Sequence, residues 1–106
     1  MIETNERGGK QSKIDGRFSE IPPLALLEVS KVMGLGLKNY PREEDGSPNW
    51  HKISWQENID HAGRHLALFL DLRNDPNRTQ KELIEELSHF TARAMMTLEQ
   101  YIREEQ

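Results

Sequence analysis

The stretch WQENIDHAGRHLALFLDL, residues 55–72, decides the fold. Trp55, Ile59, Ala62, Leu66 and Phe69/Leu70 return at steps of three and four, which lines them up on one side of an α-helix. Ser54 and Glu57 stand in capping-box spacing, where a serine oxygen takes a free amide of the first turn and the glutamate reaches back. The opposite side carries Glu57, Asp60, His61 and Arg64, with His65 on the border of the apolar face. Such a helix needs a core on one side. Its charged side is either plain solvated surface or the wall of a site, and both readings stand at this point.

A second long helix is predicted from Gln80 to the end of the chain. Thr79 and Glu82 make another capping-box pair, and Leu83, Leu87, Phe90, Ala94, Leu98 and Tyr101 form its apolar series. Glu82, Glu86, His89 and Arg93 run beside that series as a separate polar stripe. Upstream, Pro22-Pro23 can open a helix over LALLEVSKVMGLGL, residues 24–37, because proline tolerates the first turn. This segment is apolar round most of its circumference, with Glu28 and Lys31 as its polar edge, so burial from more than one side is expected. Gly34 and Gly36 are expected to end it or to allow a close approach. Residues 38–52 read as a long loop with two prolines, its end pinned by Trp50, and residues 71–78 as a linker. No strand pattern and no internal repeat is visible. The predicted class is all-α, a small bundle of three main helices. It divides into a flexible segment over residues 1–17 and a single domain over 18–106. So much apolar surface on three helices is expected to be hidden by homo-oligomerisation.

The 106 residues suit one domain, and a hydrophobic content of 35% implies a modest core. A net charge of -4 offers no broad basic surface, so no duplex nucleic acid is expected as a partner. No cysteine means no disulfide and no thiolate metal site. The polar start, MIETNERGGKQSK, lacks the apolar core of a secretory leader, and no run approaches a membrane span. A cytoplasmic location follows as the expectation, the host cytoplasm if the chain is phage-encoded.

Glu28, Asp60, Glu82, Glu85 and Glu86 lie on three helices, and carboxylates converging in a bundle can hold Mg²⁺. Acids after a capping threonine are also favourable simply because they oppose the helix dipole. His61 and His65 are one turn apart without the glutamate of a zinc-protease motif, and Glu86 with His89 supplies one of the two pairs a di-iron bundle needs. Arg64, His65, His89, Arg93 and Lys38 could take phosphate oxygens; equally, Arg64 could pair with Asp60 and Arg93 with Glu86. Ser30, Ser47, Ser54 and Ser88 carry no nucleophile signature, and GLGLK at 34–38 is not a phosphate loop. Tyr40, Trp50 and Trp55 could stack on a base or anchor the core.

Three segments, RFSEIPPLALLEVSKVMGLGLKNY (17–40), NWHKISW (49–55) and GRHLALFL (63–70), are similar to the dATP/dGTP diphosphohydrolase N-terminal domain family of phages and bacteria. That family is related to the MazG-type all-α nucleotide pyrophosphohydrolases. The resemblance implies an oligomeric, helical nucleotide-binding fold that uses Mg²⁺ or Mn²⁺ to release pyrophosphate from a purine deoxynucleoside triphosphate. It implies catalytic roles for Glu28, Asp75 and His89, and nucleotide contacts from Lys38, Tyr40, Asn49, Trp50, Arg64 and His65; the residue types add Arg93. Glu28, Asp75 and Glu86 would hold the metal. The chain departs from the family where Asp-Pro-Glu-Ser-Gly is usual and Asp75-Pro76-Asn77-Arg78-Thr79 stands, at Glu86 and Arg93, and in an expanded loop over 41–48. Losing a carboxylate at Asn77 weakens a cation site, so a form that sequesters a nucleotide, such as a signalling molecule of a host defence system, stands beside the enzymatic reading. A helical protein-interaction module is the third class.

Overall fold

The computed structural model describes residues 2–4, 6–12 and 15–104. The capping boxes are both formed. Glu57 N donates to Ser54 Oγ at 3.1 Å and Ser54 N to Glu57 Oε2 at 3.3 Å, opening α2, Trp55–Arg73. Glu82 N donates to Thr79 Oγ1 at 3.2 Å and Thr79 N to Glu82 Oε1 at 2.9 Å, opening α3, Gln80–Glu104. The first helix, α1, covers Pro23–Asn39 with proline in its first turn. It runs through Gly34 and Gly36, contrary to the expected stop. A Cβ at either would meet nothing within 4 Å, so no close approach uses them either. Two exposed glycines only weaken the helix, by roughly 0.5–1 kcal/mol each.

The polypeptide departs from the strandless reading at one place. Ile2–Thr4 (β1) and Lys10–Ser12 (β2) pair antiparallel, with Thr4 opposite Lys10 and Gly8 at φ 79° in the connection. Three-residue strands are too short to show alternation, and only glycine adopts that φ without strain. The hairpin lies in the segment read as loose from its composition, part of which falls outside the described residues.

Helices α2 and α3 form the principal contact, and α1 leans on α3. Hydrogen bonds join Asn58 near the start of α2 to Gln100 near the end of α3, and His65 further along α2 to Glu86 early in α3. The pair is therefore antiparallel. Its closest packing rests on alanine: Ala62 and Ala92 are both 0% exposed. The other buried residues among those described are Val29, Asn58, Ser88 and Gln100, so half of this set is polar. Part of the apolar series predicted for the core is open instead. Leu98 is exposed, as are Leu24, Leu27, Leu35 and Leu37 of α1, where only Val29 is buried. The radius of gyration is 18.0 Å, against about 13 Å for a compact 100-residue domain. Trp55 anchors the seam by meeting Tyr101 edge-on at 5.8 Å.

Because Ala62 is fully buried on the α2 side of the seam, Ala62→Leu is expected to cost about 1–3 kcal/mol by forcing α2 away from α3. A lowered urea midpoint at unchanged slope would show this, and an unchanged midpoint would mean the seam is loose.

Candidate functional site

The polar stripe of α3 turns inward against α2, and this builds the site. His65 Nδ1 donates to Glu86 Oε2 at 2.8 Å, both side chains being about three-quarters covered. The His65 and His89 rings stack at 4.9 Å with planes 23° apart. One turn on, Arg93 Nη1 donates to Asn58 Oδ1 at 2.7 Å. Asn58 Nδ2 donates to Gln100 Oε1 at 2.7 Å. Gln100 Nε2 then donates to the carbonyls of Trp50, at 3.1 Å, and Ile53. Spacing explains the grouping, since 86, 89, 93 and 100 share one side of a 3.6-residue helix.

Burial pushes the His89 imidazole below its ordinary value, helped by the neighbouring His65 and Arg93 and opposed by Glu86 and Glu85. His89 is thus a neutral base in the folded chain near pH 7. Glu86 is engaged by His65 rather than by Arg93. Neither Arg93 nor Arg64 forms an ion pair among the described residues, so the expected pairings with Glu86 and Asp60 are absent there. Arg93 therefore sits in a half-buried place with a neutral amide as its partner.

Other candidates lie elsewhere. Glu28 pairs with Lys31 at 2.8 Å on the rim of an apolar groove of about 540 Å³ between α1 and α3. The α3 residues of that groove are Ile84, Leu87, Ser88 and Thr91, which helical geometry sets roughly opposite Glu86, His89 and Arg93. Asp75 caps its own turn, accepting from Asn77 N at 2.8 Å, and is exposed. Lys38 and Tyr40 end α1 in solvent. Asn49 and Trp50 lie half-buried in a short 3-10 turn, Asn49–Lys52, with the Trp50 ring edge-on to His51 at 4.4 Å. Arg64 is exposed beside His65 on α2. Among the described residues, no three His, Asp or Glu side chains are grouped to hold a metal ion. Within one subunit Glu28, Asp75 and Glu86 do not fit a shared Mg²⁺ or Mn²⁺.

Asn58 and Gln100 were not candidates from the sequence. Asn58 falls between the apolar positions Trp55, Ile59 and Ala62, and an asparagine on the inner side of a helix was the one available signal.

Residues 5–106 match the family model described as dATP/dGTP diphosphohydrolase, N-terminal. The chain belongs to that family. The match covers all three helices and the seam between α2 and α3, and it agrees with the resemblance drawn from the sequence. A search of curated proteins and of solved structures returned no significant match. No helix is long and apolar enough to cross a membrane among the described residues.

With its folded value depressed, His89 binds a proton less readily than the same residue in the unfolded chain, whose value is 6.5. Stability is therefore expected to fall as pH drops below about 6.5, where the unfolded state takes up the proton first. His89→Gln should lose less melting temperature than the parent between about pH 7.5 and 5.5. Equal losses would show that His89 does not carry this dependence.

Proposed function

We propose that the chain binds a purine deoxynucleoside triphosphate at the α2–α3 seam, with Arg93 taking phosphate oxygens. The observation that carries this is the half-buried Arg93 guanidinium, unpaired with any carboxylate among the described residues, beside a neutral His89. A buried cation without a counter-ion is costly, and an anionic ligand relieves that cost while meeting a fork of donors. His65 lies in the same group, the exposed Arg64 precedes it, and the loop bearing Asn49 and Trp50 is tied to the same network.

Family membership supports hydrolysis of the bound nucleotide as the reaction. Water would attack a phosphoanhydride, giving the nucleoside monophosphate and pyrophosphate, and His89 in its neutral form can accept a proton from that water. The metal usual for such hydrolases does not fit the carboxylates that one subunit assembles, so the full acidic set would need α1 of a second copy. The exposed leucines of α1, the open groove and the extended shape support such an assembly. The scattered carboxylates equally favour the second reading, in which the same group of residues at the seam sequesters a nucleotide without turnover.

Incubation with dATP or dGTP and Mg²⁺ is expected to yield pyrophosphate and the monophosphate. A raised melting temperature without products would select sequestration, and no shift with any nucleotide would favour a protein-interaction module. Arg93→Ala should weaken nucleotide binding by about tenfold or more. Sedimentation at micromolar concentration is expected to show more than one subunit; a monomer would overturn the completed-site reading.

A further inference from the structure

The chain of side-chain hydrogen bonds from Arg93 to the loop has only one possible direction. A guanidinium can only donate, so the atom of Asn58 facing Arg93 is its oxygen, at 2.7 Å. That turns the Asn58 amide nitrogen toward Gln100, whose oxygen accepts at 2.7 Å. The Gln100 nitrogen is thereby turned to the Trp50 and Ile53 carbonyls, which can only accept. A donor-only group stands at one end and acceptor-only groups at the other. Neither amide between them can rotate without creating two opposed donors or two opposed acceptors.

Asn58 is 0% exposed, and no buried side-chain nitrogen or oxygen lacks a partner among the described residues. Burying two amides here adds little stability over an apolar pair of similar size. Their distinct contribution is directional. They tie a charged side chain on α3 to a backbone segment about two helical turns along the seam.

We propose that Asn58 and Gln100 are positioning residues that make Arg93 and the backbone at residues 50–53 a single mechanical unit. An anion seated on Arg93 then stiffens the loop, and loosening either amide frees both ends. The coupling itself stands on geometry alone; its use in ligand recognition rests on the nucleotide-binding reading above.

The Ile53 amide, which donates to the Trp50 carbonyl at 3.1 Å, reports on the loop through its hydrogen-exchange protection. Gln100→Glu sets a carboxylate against the Trp50 and Ile53 carbonyls, and protonation restores the donor. Ile53 protection is expected to be about tenfold below the parent's near pH 8 and to recover near pH 5. Arg93→Met removes the donor at the far end without touching the loop. It should lower Ile53 protection about threefold while helical circular dichroism is unchanged. Protection unaltered in Arg93→Met, or reduced in Gln100→Glu without recovery in acid, overturns the proposal. Added dGTP should raise Ile53 protection in the parent and not in Arg93→Met. If dGTP changes nothing while the ligand-free results hold, the coupling stands and the nucleotide reading falls.

Discussion

The structure depends on the meeting of α2 and α3 across a seam whose specificity is polar. Alanines at 62 and 92 let the packing close, but alanine against alanine tolerates sliding. The hydrogen bonds do not. Arg93 to Asn58, Asn58 to Gln100, and His65 to Glu86 each demand one vertical alignment of the two helices, and a shift of one turn would strand five buried or half-buried polar side chains. An unmet group of this kind costs on the order of 1–3 kcal/mol. Register and site are consequently set by the same bonds.

This explains why the sequence was legible in its outline and not in its interior. Ser54, Glu57, Thr79 and Glu82 announced two helix starts because capping chemistry is local. The apolar steps along α2 and α3 marked helices for the same reason. The interior was misread because periodicity assigns the buried face to leucine, whereas the deepest positions of α3 are Ser88, Ala92 and Gln100. The stripe Glu86, His89, Arg93 stood out beside the apolar series as a candidate site, and it faces α2. Whether a polar stripe faces water or a partner depends on the neighbouring helix, which local spacing does not contain. Asp75 has a local role that spacing also allows: its carboxylate closes the turn to Asn77, as in any Asx turn.

Helix α3 has two working sides. One presents Ile84, Leu87, Ser88 and Thr91 to α1 and the groove; the other carries Glu86, His89, Arg93 and Gln100 toward α2. Glu28, on α1, is therefore separated from the histidine pair by the thickness of the helix. The sequence treated Glu28 and His89 as members of one constellation, and linear order gave no means of seeing α3 stand between them.

That separation bears on how the fold reaches adequate stability. Among the described residues three apolar and three polar ones are buried, while leucines along α1 and the end of α3 remain open. At about 25 cal/mol per Å² of apolar surface withdrawn from water, an interior so thin gives α1 little reason to hold its place against α3. A fold that reserves its hydrogen-bonded contacts for the α2–α3 seam and leaves the leucines of α1 exposed separates two tasks. The seam holds Arg93 and His89 against α2, whereas Glu28 stands with Lys31 beside the α1–α3 groove, on the other side of α3.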